Sequence, residues 1–142
     1  MTTVTVRHNF EAAHRLPHLP GKCVSLHGHS WWVAITVSAP DVDAEGLVVE
    51  FGAFKNAVRG WIDANLDHGT LLGPNDPLVA PLRAAGCKVH LVAGWPTVER
   101  VAALLGRVAS DLVDVIHHAP GARVSAVDLQ ETHVNRAGWT PP

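Results

Sequence analysis

The stretch Lys22-Cys23-Val24-Ser25-Leu26-His27-Gly28-His29 places one thiol and two imidazoles within a few residues, in a chain with only two cysteines in all. In an extended backbone, residues i and i+2 share a face. His27 and His29 therefore aim their rings at one point, and Gly28 removes side-chain bulk between them. Two neutral imidazoles are a start on a zinc site, which normally wants a third protein ligand. His14 is the candidate, because it ends the apolar face of an expected first strand just before the Pro17-to-Gly21 loop that leads to Cys23. Three histidines and an open fourth position make a catalytic site, with the metal acting as a Lewis acid on a hydroxyl or carbonyl oxygen. Cys23 reads two ways. As a fourth ligand it closes the site; as a thiol held off the metal it works as a base once its pKa falls from about 8.5. Asp67-His68 offers a second proton-transfer pair, and Glu131, at a strand end, suits an anchor for a guanidine-like N–H pair.

Each of these residues also has a plain reading. An isolated H-x-H fits two surface histidines on a strand, and Asp-His neighbours commonly cap a helix or stay solvated. The chain has ten histidines, so most need no chemical role. His117 and His118 fall near the end of a helix, where a cation suits the dipole. His18 lies in a proline-flanked loop, and His8, His90 and His133 read as strand or loop residues.

The elements that must position these groups follow from periodicity. Val4 to Leu16 reads as a strand with Val6, His8, Phe10, Ala12 and His14 on one face. Ser30 to Ala39 is a second strand facing inward through Trp31, Val33, Ile35 and Val37, and Leu47 to Phe51 is a short apolar extension. From Gly52 to Leu66 the period becomes helical, with Phe54, Val58, Trp61/Ile62 and Leu66 in one stripe. Gly73 to Gly86 is mainly loop, with one helical turn around Leu78 to Ala85, and Lys88 to Val92 is a brief strand candidate. Thr97 caps a second helix with Glu99 in its first turn; Val98, Val101, Ala102, Leu105, Val108, Leu112 and Val115/Ile116 form its stripe to about His117. Arg123 to Thr132 and Val134 to Thr140 are extended. The expected order, ββααββ, gives an α+β fold: an antiparallel four-stranded sheet with two helices on one face, its other face left for a neighbour.

A chain of 142 residues makes a single domain, residues 1–142. Its 47% hydrophobic and 17% charged residues are those of an ordinary globular protein, and the net charge of −2 offers no footprint for nucleic acid or anionic membrane. No run reaches membrane-span length, and Met1-Thr2-Thr3-Val4 lacks the basic flank and apolar core of a signal. Cys23 and Cys87 make no disulfide framework, which predicts a reducing cytoplasm, with Cys87 a small buried residue.

Six signatures in order resemble the 6-pyruvoyltetrahydropterin synthase / 6-carboxytetrahydropterin synthase family of the tunnelling fold. They are Phe10-Glu11-Ala12-Ala13-His14, Cys23 through His29, Gly46-Leu47-Val48-Val49-Glu50-Phe51, Leu66-Asp67-His68, Pro96-Thr97-Val98-Glu99 and Glu131-Thr132. The resemblance implies zinc on His14, His27 and His29, Cys23 as catalytic base, and Asp67 with His68 as the proton relay. It further implies Glu131 as the pterin anchor, Thr97 and Glu99 as substrate-binding residues, and sites built between subunits of a homohexamer. The C-x-x-x-H-G-H gap is similar to that of the bacterial 6-carboxytetrahydropterin synthases, whose substrate is 7,8-dihydroneopterin triphosphate, on the route to queuosine. The alternatives are a pyruvoyl enzyme, with a longer gap in most members, and a non-catalytic pterin- or metal-binding relative. A cupin is disfavoured because Trp32 and Val33 stand where its glutamate ligand is expected. Departures are Glu50 for aspartate, Arg100 and Leu72 for asparagine, and Trp32 and Trp139 for tyrosine.

Overall fold

The structure, a computed structural model, describes residues 1–142. Its framework is a pair of long antiparallel strands, β1 (Thr2–His14) and β2 (His27–Ala39), in register from Thr2↔Ala39 to His14↔His27. Alternation does what the sequence predicts: Val6, His8, Phe10, Ala12 and His14 are buried, as are Trp31, Val33, Ile35 and Val37. Thr5, Arg7, Asn9 and Glu11 face outward with Trp32. Trp31 stacks on Phe10 at 5.8 Å and donates its indole N–H to the Ala12 carbonyl at 3.0 Å, fixing the two strands side chain to backbone.

The apolar face is covered by α1 (Phe51–Asn65) and α3 (Val98–Asp114). Phe54, Val58, Ile62 and Leu66 from the first helix join Val101, Ala102, Leu105, Ala109 and Val113 from the second in one core cluster with the strands. Glu50 caps α1, its carboxylate accepting from the N–H groups of Gly52 and Ala53. Thr97 caps α3 by accepting from Arg100 N at 3.3 Å. No helix is long and apolar enough to cross a membrane.

The four-stranded antiparallel expectation is corrected to a six-stranded mixed sheet of order β4-β3-β1-β2-β5-β6, with a short third helix, α2 (Val79–Ala84). Strands β5 (Arg123–Gln130) and β6 (Arg136–Trp139) extend it antiparallel beyond β2, as expected. The additions to that sheet are β3 (Gly69–Leu72), parallel to the last residues of β1, and β4 (Val89–Leu91), parallel to β3 and inside the strand candidate read at Lys88 to Val92. All four β3 residues are buried, so no alternation announces it. Of the apolar extension Leu47 to Phe51, Val49 makes an isolated bridge to His118 and Phe51 begins α1. Helix α3 ends before His117, leaving Val115 82% exposed. Cys87 is exposed rather than buried, because it follows α2 in a surface turn closed by Cys87 N to Leu82 O at 3.0 Å.

Candidate active site

The ends of β1 and β2 bring His14, His27 and His29 together, with a ligating atom of each within 4.8 Å of the others. Their ring centroids are 4.7 to 5.1 Å apart. The register explains the meeting: His14 lies opposite His27, and His29 opposite Ala12, so all three share the helix-facing side. A Cβ at position 28 would come 3.5 Å from the Ala12 carbonyl oxygen, an ordinary contact, so the approach of the strands does not depend on the glycine.

Backbone carbonyls set two tautomers. Nδ1 of His14 donates to Pro96 O at 2.8 Å, and Nδ1 of His27 to Ser25 O at 2.7 Å, which turns both Nε2 lone pairs toward the cluster. Trp31 walls the site edge-on to His14 and His29. The Nε2 atoms of His14 and His29 are buried and have no hydrogen-bond partner. Burial pushes the pKa of His29 down, helped by His14 and His27 and opposed by Glu131. Two buried, partnerless Nε2 atoms, with a third ring nitrogen from His27 close by, make a donor set that fits a first-row divalent metal.

Glu131 Oε1 approaches within 3.2 Å of His14 Nε2 and 3.7 Å of His29 Nε2. The approach to His14 is not a hydrogen bond: His14 Nε2 has no hydrogen-bond partner. A charged His14 beside it would hold the Glu131 carboxyl below its ordinary range, against burial. Neither Glu131 nor Cys23 belongs to the mutually close ligand group. Cys23 is exposed, in a single 3₁₀ turn (Lys22–Val24) whose backbone is tied by Leu16 N to Cys23 O at 2.7 Å.

Asp67 and His68 follow α1. Asp67 Oδ1 accepts from Glu11 N at 2.8 Å and Oδ2 from His68 Nδ1 at 3.0 Å. The Glu11 amide is the main reason that the Asp67 carboxyl lies below its usual range. His68 has φ 58°, a left-handed conformation that costs a non-glycine residue about 1–2 kcal/mol. Strain of this kind, where the surroundings hold it, is characteristic of working residues. His68 and His29 line one cleft of about 370 Å³ with Glu11, Gly28 and Ser30. His29 and Ser30 also border a second, of about 410 Å³, floored by Trp32 and Gln130.

The structure thus gathers His14, His27, His29 and Glu131, and sets His68 across a cleft from His29. Thr97 and Glu99 stand at the start of α3 and line neither cleft. Sequence reasoning overlooked Pro96 and Ser25, whose carbonyls orient two of the imidazoles; carbonyls leave no signature in residue type. Arg15, next to His14, is committed elsewhere, donating to both oxygens of buried Asp76 at 2.8 and 2.9 Å.

A model of the family described as 6-pyruvoyl tetrahydropterin synthase matches residues 3–141. The chain belongs to this family. Among relatives of the family, a 6-carboxy-5,6,7,8-tetrahydropterin synthase of Rickettsia typhi is 36% identical over 104 residues, 72% of this chain and 75% of its own. One of the same name from Aquifex aeolicus is 34% identical over 123 residues, covering 83% and 75%. In fold, the 6-pyruvoyl tetrahydropterin synthase of Caenorhabditis elegans superposes with a TM-score of 0.72 at 22% identity, covering 99% of this chain and 96% of its own. An uncharacterized Wolinella succinogenes protein reaches 0.82 at 21% identity, covering 99% and 98%. The family expected from the six signatures, and its tunnelling fold, are therefore the ones found.

Proposed function

We propose that the protein is a zinc-dependent 6-carboxy-5,6,7,8-tetrahydropterin synthase. It takes 7,8-dihydroneopterin triphosphate and water to 6-carboxytetrahydropterin, acetaldehyde and triphosphate, a carbon–carbon lyase reaction. The observation that carries the reading is the convergence of His14, His27 and His29, with two buried Nε2 atoms left partnerless beside the cleft that holds His68. The relatives named for this activity, at 34–36% identity, support the substrate class.

The three imidazoles would hold zinc, which when bound supplies a Lewis acid that acidifies the substrate's side-chain hydroxyls. The chain's own groups do the rest. Cys23 removes a proton as base, and its exposure suits a group that meets substrate rather than core. His68 moves the second proton through Nε2, because Nδ1 is committed to Asp67. Glu131, whose Oε1 lies 3.2 Å from His14 Nε2 at the border of the cluster, accepts the N–H pair of the pterin ring. Thr97 and Glu99 contribute to substrate binding where a neighbouring subunit of a homohexamer completes the site. The enzyme works in the cytoplasm, on the route to 7-deazapurines such as queuosine.

Mass spectrometry of the product from 7,8-dihydroneopterin triphosphate tests the proposal. Carboxytetrahydropterin with acetaldehyde is expected. Pyruvoyltetrahydropterin would move the protein to the sister activity, and absence of turnover by zinc-loaded protein would leave a binding protein.

A further inference from the structure

The turn carrying His68 is held from outside by one side chain. Lys88 donates its ammonium to the carbonyl oxygens of Asp63 and Asp67, both at 2.6 Å. These carbonyls belong to the end of α1, where helix geometry leaves oxygens without partners and the dipole favours a cation. The Lys88 stem lies on Gly69: a Cβ there would meet its Cδ at 3.1 Å and its Cγ at 3.2 Å. The Lys88 backbone is itself fixed, because its carbonyl accepts from Thr70 N at 2.9 Å, within the strand that His68 leads into. His68 N to Glu11 O at 2.6 Å and Gly69 N to Leu66 O at 2.9 Å complete the turn.

We propose that Lys88 is a positioning residue for the Asp67–His68 pair, locking the end of α1 in the left-handed turn that sets the imidazole in the cleft with His29. The inference rests on the role given to His68 in the proposed function. The ammonium bridges two carbonyls while the Asp67 carboxylate bridges Glu11 N and His68 Nδ1, so Asp67 is gripped at both backbone and side chain. Without the bridge, the strained φ of His68 has less to oppose its relaxation, and the ring leaves its place.

The test compares Lys88→Met, which keeps the stem and removes the donors, with Lys88→Arg, which restores them, in the zinc-loaded protein. Lys88→Met should lower kcat by roughly 10-fold or more, with KM within about twofold and zinc content unchanged, as a misplaced proton-transfer group requires. Lys88→Arg should recover most of the loss. Ring ¹⁵N shifts of His68 supply a readout independent of turnover: the Nδ1–H tautomer set by Asp67 should give way to a mixture in Lys88→Met. If Lys88→Met does not fold, Lys88→Ala removes the same donors and should produce the same kcat loss and tautomer change. Wild-type kcat and wild-type ring shifts in the folded variant, with His68→Ala inactive, would overturn the inference alone. An active His68→Ala would instead overturn the relay itself, and the ring shifts would still decide whether Lys88 holds the turn.

Discussion

Imidazole binds a metal only as the neutral ring, so a site built from His14, His27 and His29 has to lose its ion as acid protonates the set. Zinc retention measured by equilibrium dialysis should weaken as the pH is lowered. Replacing His27 and His29 together by alanine should strip the ion, and near-stoichiometric zinc in that double variant would rule the site out. Cys23 poses the opposite expectation. It lies outside the mutually close ligand group, so Cys23→Ala should keep zinc and the fold while turnover drops by roughly 10²–10⁴-fold, the contribution of a positioned acid–base group. Loss of zinc with the thiol would make it a ligand after all; wild-type turnover would end its assignment as base. Cys87→Ala is the control, keeping activity, since Cys87 sits in a surface turn beside Leu82.

Elements succeed or fail as readings according to how much of each is wet. The long strands alternate because one face is solvated, and that alternation also put His14 at the right end of the right face. β3 is buried throughout and carries no such contrast, and Cys87 was misjudged because residue type says nothing about a surface turn after a short helix. The convergence of His27 and His29 was legible in spacing, but the Lys88 contact with Asp67 O and the Pro96 carbonyl on His14 come from elements remote in sequence. Close packing between elements gives one sharp expectation. A methyl at Gly106, on α3, would overlap the ring of Trp139 on β6. Gly106→Ala should therefore destabilise the fold by about 1–3 kcal/mol, seen as a lower melting temperature with altered tryptophan emission. The link between β2 and α1 is pH-sensitive instead. His117 Nε2 lies 2.8 Å from Asp43 Oδ2 and 3.2 Å from Glu45 Oε2. The Asp43 hydrogen bond raises the His117 pKa above 6.5, so its contribution is complete below 6.5 and fades as pH climbs through the raised value. Asp43 is lowered, chiefly by the Leu47 amide, so its share is present above 3.8 and fades in acid. His117→Gln should consequently melt below wild type at about pH 5.5 and together with it at about pH 9, by a small margin because the pair is exposed.

On the scale of the whole molecule, β1 is an edge for most of its length. β3 pairs only with Ala12 to His14; nearer the N-terminus, Asn9 O is taken by Arg59 at 2.6 Å, and Glu11 by Asp67 and His68. By parity the backbone groups of Thr5 and Arg7 point the same way, offering a template for another strand. Sedimentation at roughly micromolar concentration should find a symmetric assembly, and Thr5→Pro, which removes one outward N–H, should shift it to smaller species. An active wild-type monomer would end the idea of sites shared between subunits. The pairing of β1 with β2 has another consequence. Their side chains alternate, so a slip of one residue would turn His14 to the opposite face from His27 and His29, dismantling the ligand set without removing a single histidine. A bound ion would therefore favour the same alignment that burial of Val6, Phe10 and Trp31 already enforces. At free metal a hundred times the dissociation constant, that bias would be worth about 2.7 kcal/mol. Chains made without metal would still find the register, because a slip also exposes Val6 and Phe10, and would lose only this added margin.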